Sequence, residues 1–155
     1  AQAEQLGLKT LSDLTRHDQD LDIASDFDFF GRSEWKSVER TYGMAFKKRR
    51  TMDPGLMYQA LAQEEVDVSS AYSTDGRIDA FDLVLLQDDQ GAIPPYHAMI
   101  LVNAKFAQKQ PDVVDALKGL LGRFDAKTVR KMNLDVDKGG KTPSKVAKEA
   151  LQRLF

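Results

Sequence analysis

Apolar residues along this chain come in short clusters, each separated from the next by turn or capping residues. Leu11 to Arg16 follows Thr10 and includes Ser12, either of which can cap a short helix, and Leu21-Asp22-Ile23-Ala24 reads as a strand. An aromatic, acidic loop, Asp26-Phe27-Asp28-Phe29-Phe30-Gly31-Arg32, leads into a helix predicted from Ser33 to Tyr42, where Gly43 supplies the residue that commonly ends helices. Phe46 to Thr51 is strand-like. Asp53-Pro54 then sets a cap before a proline whose missing N–H is harmless at the first helical position, and the helix is predicted to run to about Glu64.

The stretch from Glu65 to Tyr96 is the richest in chemistry. Val66, Val68, Ala71 and Tyr72 read as a short strand. Leu83-Val84-Leu85-Leu86 reads as a fully buried one, because strands covered on both faces run apolar without alternation. Between them, Ser73 or Thr74 is expected to cap a short helix. Tyr72 would then stand at the carboxyl end of a strand beside free helix-start N–H groups, where open α/β sheets bind their ligands.

Past the turn-rich Gln87-Asp88-Asp89-Gln90-Gly91 the character changes. Ala98 to Val102 reads as one more strand, and the remainder as helices over 104–110, 112–121, 126–132 and 143–154. Asp125 and Thr142-Pro143 are plausible starts, and Gly122 and Gly139-Gly140 are breaks. A lone strand cannot bury its apolar face. Ala98 to Val102 is therefore expected either to join the preceding sheet or to belong to a lobe whose other half is missing.

At 155 residues the chain can form one domain with a real core or two small lobes. Its 42% hydrophobic and 30% charged residues are those of an ordinary globular protein. Twenty-two Lys and Arg against 24 Asp and Glu leave a net charge of -2, so no overall positive field points to nucleic acid. The basic run Lys47-Lys48-Arg49-Arg50 falls in a strand-like stretch and reads as a solvated sheet edge, where charge discourages edge-to-edge pairing. The absence of cysteine excludes disulfides, thiolate nucleophiles and Cys-based zinc sites. No apolar run reaches the roughly 20 residues that span a bilayer. The start, AQAEQLGLKT, has neither the basic nor the apolar region of an export signal, so any such signal is expected to be removed or to lie outside the chain.

The segments FDFFGR, TYGMAFKK, MDPGLMYQAL, VDVSSAYSTDGRI, DLVLLQDDQG, PPY, MNLDVD and TPSKVAKEAL occur in an order and spacing that is informative as a set. From about Gly7 to the last residue they resemble the substrate-binding proteins of glycine betaine, choline and proline betaine ABC importers. The resemblance implies an α/β, periplasmic-binding-protein type II-like fold, in which two lobes close around the solute like a hinge. Residues 1–91 would form the second lobe and 92–155 the C-terminal part of the first. The N-terminal part of the first lobe would be absent, making the chain a truncated form and leaving the strand at Ala98 to Val102 without its partner. The implied function is binding of a quaternary-ammonium osmolyte and delivery to an ABC transporter permease, without catalysis and without a cofactor. The implied location is periplasmic or extracellular, soluble or anchored to the membrane through the missing N-terminus. A segment-exchanged dimer of the fragment is a further expectation.

A quaternary ammonium has no hydrogen to donate and is met by aromatic faces, whereas a carboxylate is met by an arginine fork or by N–H groups. Under the resemblance, Tyr72 and Tyr96 are cage walls, Arg32 is the carboxylate ligand, and Thr74 also faces the ligand. The residues alone leave other roles open. Tyr72 can pack at a strand end, Tyr96 can stiffen a hinge after Pro94-Pro95, Arg32 can pair with Asp26 or Asp28, and Thr74 or Asp75 can cap the following helix. One of Phe27, Phe29 and Phe30 can approach the ligand while the others close the core. Two positions depart from the family pattern: Trp35 stands where a Gly- and Pro-containing turn is usual, and His97 where many relatives carry a second aromatic. Two further readings compete. One is a Mg²⁺-dependent phosphoryl-transfer enzyme using Asp75, Asp79, Asp82, Asp88 and Asp89, although no P-loop, GxSxG or HExxH motif occurs and His17 and His97 lie far apart. The other is a fragment that acts only in assembly or interaction, without tight ligand binding.

Overall fold

Strand β1 (Asp22–Ser25) lies between β2 (Lys48–Thr51) and β3 (Val68–Ser69), parallel to both, in a computed structural model that describes residues 2–154. Ala1 and Phe155, the outer ends of the two expected lobes, lie outside the described residues. Ile23 stands opposite Arg49 and Val68, and Ala24 opposite Arg50 and Ser69. Because successive Cβ atoms point to opposite faces, β1 feeds two cores. Ile23 joins Leu8, Leu14, Trp35, Val38 and Phe46, and helix α3 (Ser33–Tyr42) covers that face. Ala24 packs with Ala60 and Val66 under helix α4 (Pro54–Ala62). With order β2-β1-β3 the chain steps outward to β2 and then back across β1. That reversal leaves an opening at the carboxyl ends of β1 and β3, the place where parallel sheets offer a crevice.

Local chemistry sets most boundaries. Thr10 caps α2 (Leu11–Leu14), a single helical turn that follows α1 (Gln2–Gln5), its hydroxyl accepting from Asp13 N–H at 3.0 Å while the Asp13 carboxylate accepts from Thr10 N–H at 3.0 Å. Gly43 ends α3 in the left-handed region, φ 67°. Asp53 caps α4 by accepting from Gly55 N–H at 2.7 Å. Strand β2 is an exposed edge, with Arg49 paired to Glu39 at 2.5 Å and Arg50 to Asp22 at 2.7 Å.

Three expected elements differ. Leu83 to Leu86 forms no strand, and Val84 and Leu85 are exposed. Asp82 takes the left-handed conformation, φ 52°, and Leu83 N–H returns to the Ile78 carbonyl, so the chain leaves the preceding helical turn in a tight reversal instead of along the sheet. The one bridge nearby is parallel, between Thr10 and Gln87. Ala98 to Val102 is likewise no strand: it finds no partner among the described residues, and Leu101 is 88% exposed. The strand expected through Tyr72 stops at Ser69, which leaves Ala71 and Tyr72 in the loop beyond β3.

The C-terminal part is helical, with α6 (Ala104–Lys109), α7 (Pro111–Lys118), α8 (Ala126–Asp137) and α9 (Pro143–Leu154). Asp125 caps α8 by accepting from Thr128 N–H at 2.7 Å. This helix runs beyond the expected Met132, and Lys138 N–H closes its last turn on the Leu134 carbonyl. Lys141 ties α8 to α9, lying 2.9 Å from both Asp135 and Glu149. Helices α7 and α9 leave an open apolar groove lined by Val113, Leu117, Leu120 and Leu151.

Candidate functional site

The carboxyl ends of β1 and β3 are joined by a pair of hydroxyls, Ser25 Oγ and Ser70 Oγ, 2.5 Å apart, with Ser25 fully buried. Beyond β1 the Asp26 carboxylate accepts from Asp28 N–H at 3.0 Å and Phe29 N–H at 2.9 Å, folding the loop into a single 3₁₀ turn over Phe29–Gly31. Phe29 and Phe30 then pack on Trp35, with ring centroids 5.7 and 5.2 Å away, and Trp35 is 2% exposed. In this chain a buried indole at the start of α3 therefore fixes the loop that carries Arg32. Phe27 is exposed in the same loop.

Arg32 lies 3.3 Å from Asp26, the pairing that the residues alone suggested. The Tyr72 hydroxyl sits beside its guanidinium, and together Tyr72 and Asp26 hold the Arg32 pKa above its ordinary value. Glu34, in the first turn of α3, accepts from the Tyr96 hydroxyl and, at 3.0 Å, from the Ser33 hydroxyl. Those bonds lower the Glu34 carboxyl below its usual range, and the same contact with Glu34 raises the Tyr96 phenol. Arg32 and Tyr72 also act electrostatically on Tyr96. Three of the four expected site residues, Arg32, Tyr72 and Tyr96, are thus brought to one place from three separate segments. The place is open: Tyr72 is 70% and Tyr96 74% exposed.

Glu34 was not singled out from sequence. Its only signal was its position, two residues past Arg32, in the stretch SEWKSVERTYG that departs from the family pattern. His97 is exposed in the segment just after Tyr96.

Thr74 stands differently. Neither it nor Ser73 caps the short helix α5 (Arg77–Ala80); the Asp75 carboxylate instead accepts from Arg77 N–H at 2.9 Å, correcting the expected cap. The carbonyls of Ser73 and Thr74 are taken by α8: Arg130 Nη1 donates to Ser73 at 3.0 Å and Asn133 Nδ2 to Thr74 at 2.8 Å. The Thr74 hydroxyl makes no hydrogen bond among the described residues. Asp75 also pairs with the Arg77 guanidinium at 2.7 Å, which lowers its pKa, and that guanidinium lies 4.2 Å over the Tyr58 ring.

Of the five acidic residues weighed as a metal site, Asp75, Asp79, Asp88 and Asp89 have protein partners of their own. Asp88 accepts from the Tyr42 hydroxyl, from Ala92 N–H at 3.0 Å and from Ile93 N–H at 2.7 Å, while Asp79 pairs with Arg130 at 2.8 Å. Among the described residues no group of His, Asp and Glu converges in a way that could hold a metal ion.

A family model described as the substrate binding domain of an ABC-type glycine betaine transport system matches residues 1–153. The chain belongs to this family. Its members are substrate-binding proteins and not enzymes, which removes the phosphoryl-transfer reading. The carnitine transport binding protein OpuCC of Listeria monocytogenes is 35% identical over 153 residues, covering 97% of this chain and 50% of that protein. A glycine-betaine-binding protein of Pseudomonas aeruginosa is 34% identical over 163 residues, covering 97% of this chain and 52% of that protein. The chain therefore spans about half the length of these relatives. Among solved structures, a glycine betaine/carnitine/choline ABC transporter crystal structure superposes with a TM-score of 0.88 at 35% identity, over 97% of this chain and 56% of that one. The architecture is accordingly the α/β, periplasmic-binding-protein-like fold of glycine betaine binding proteins, of which this chain covers part. No helix among the described residues is long and apolar enough to cross a membrane.

Proposed function

We propose that this chain carries one side of a binding site for a quaternary-ammonium osmolyte of the glycine betaine, carnitine or choline class, and that the whole protein hands this solute to an ABC importer permease outside the cytoplasm. In this reading residues 1–91 form the second lobe, 92–155 return to the first, and the remainder of the first lobe is supplied by sequence upstream. Tyr72 and Tyr96 offer their faces to the trimethylammonium head, Arg32 takes the carboxylate, and the free Thr74 hydroxyl serves the ligand's polar end. The observation that carries the proposal is the convergence of Arg32, Tyr72 and Tyr96 where the strands β1 and β3 end. Family membership supports the ligand class.

The openness of the two tyrosines sets the expected affinity. An aromatic wall contributes on the order of 0.5–2 kcal/mol to holding a quaternary ammonium, toward the low end when the wall is exposed. A site lacking its opposing walls is therefore expected to bind weakly or not at all by itself. Calorimetric titration with glycine betaine, run on the 155-residue chain and on a longer form carrying the upstream lobe, tests this; tight binding by the shorter chain would overturn the half-site reading. In the longer form, Arg32→Ala should weaken carboxylate-bearing betaines more than choline, and equal losses for the two would remove Arg32 from its assigned role.

A further inference from the structure

We infer that Arg130 and Asn133 of α8 are positioning residues that hold the loop bearing Tyr72 in place. Four contacts converge on the few residues after Tyr72. Arg130 Nη1 donates to the Ser73 carbonyl at 3.0 Å, and Asn133 Nδ2, nearly one helical turn further along α8, donates to the Thr74 carbonyl at 2.8 Å. Arg130 also ion-pairs with Asp79, inside α5, at 2.8 Å, and its own side chain is only 14% exposed. Between these grips α8 rests directly on the backbone of Gly76: a Cβ there would lie 2.5 Å from Leu134 N and 2.8 Å from Leu134 Cα.

Residues i and i+3 of a helix share one face, so Arg130 and Asn133 reach the loop as a pair. The carbonyls they take are those of the two residues immediately after Tyr72, which have no other protein donor among the described residues. From its other side the loop is held by Arg77, which reaches the carbonyls of Pro54 and Gly55 at 3.3 Å each. A helix of the C-terminal part thereby sets where a tyrosine of the N-terminal part stands. That Tyr72 is a wall of the ligand site rests on the reading given above; that α8 holds its loop does not.

Amide hydrogen exchange on the full chain separates the two. The reporters are Asp75 N–H, bonded to the Tyr72 carbonyl at 3.0 Å, and Ile78 N–H, bonded to the Asp75 carbonyl at 3.2 Å. In an Arg130→Ala, Asn133→Ala double variant both should exchange about tenfold faster, the scale expected for losing two modest hydrogen bonds. Met52 N–H, bonded to the Ser25 carbonyl at the end of β1, should keep its rate. Arg130→Lys, which keeps the charge facing Asp79 but lacks the planar fork, should fall between the double variant and the parent. Unchanged reporters in the double variant would overturn the inference; if that variant does not fold, Asn133→Ala alone decides it, with unchanged reporters again counting against. NMR titration with glycine betaine, run on the longer form carrying the upstream lobe with and without the double substitution, then addresses Tyr72. Loosened reporters with weakened shifts around Tyr72 support both readings, whereas loosened reporters with identical shifts leave the positioning role standing and remove Tyr72 from the site.

Discussion

Trp35 is the residue on which the Arg32 loop depends. Its indole is buried against Phe29, Phe30 and Phe46, and the Arg49 guanidinium lies 5.0 Å from its ring centroid. Trp35→Ala should therefore cost about 3–5 kcal/mol, the usual loss when a large aromatic leaves a packed core, read as a lower urea midpoint at constant slope. Two tyrosines make stability fall at alkaline pH. Burial and the hydrogen bond to Asp88 push Tyr42 up to about 12, and burial with the neighbouring Asp75 does the same for Tyr58, from an ordinary 10.0. The folded protein keeps both phenols protonated while the unfolded chain ionises them from about pH 10, so their contribution is intact below about pH 10 and is lost as pH climbs toward about 12. Denaturation midpoints at about pH 9 and about pH 11 should show that loss, and Tyr42→Phe should show a shallower one from a lower starting point. A flat midpoint in the parent across that interval would contradict the assignment.

At the scale of elements, Gly76 shows a glycine kept for close approach and not for its backbone freedom, since its φ is an ordinary -62°. Gly76→Ala should drive α8 off α5 and cost about 1–3 kcal/mol, as overfilled contacts do. Gly31→Ala, with nothing within 4 Å of the added carbon, should stay within about 0.5 kcal/mol of the parent in the same unfolding measurement. Helix α3 was legible from the sequence at both ends because its signals are local: a loop before Ser33, an apolar stripe through Trp35 and Val38, and Gly43 as the stop. The capped starts of α4 and α8 were legible for the same reason. Leu83 to Leu86 reads as a strand and is not one, because a continuous apolar run has no period and a strand cannot be told from other apolar segments on that ground. At the start of α5 it is Asp75, the other candidate beside Thr74, that accepts from Arg77 N–H; the hold of α8 on the Ser73 and Thr74 carbonyls is a contact between distant segments that no local pattern announces. The site divides likewise: Arg32, Tyr72 and Tyr96 were named through the family resemblance, whereas Glu34, whose partner lies 62 positions away, gave no signal of its own.

For the molecule as a whole, the unpaired segment around Ala98 to Val102 is the least settled surface. Met99 is 78% and Leu101 88% exposed, and the groove of α7 and α9 adds further apolar area. Such surface tends to find a partner. The isolated chain should bind an apolar fluorescent dye and associate with rising concentration in sedimentation runs, and Met99→Lys with Leu101→Lys should reduce both without moving thermal stability by more than about 0.5 kcal/mol. Persistence of dye binding and association in that variant would place the sticky surface elsewhere. The sheet order β2-β1-β3 also has a bearing on how the chain is made. The central strand is the first of the three to be synthesised, and its neighbours come only with Arg49 and then Val68. Pairings this distant close slowly, because long loops must be ordered before any contact rewards them. During translation β1 therefore emerges with both edges bare, and the period before Val68 arrives is when a nascent chain of this topology most needs shielding from its neighbours.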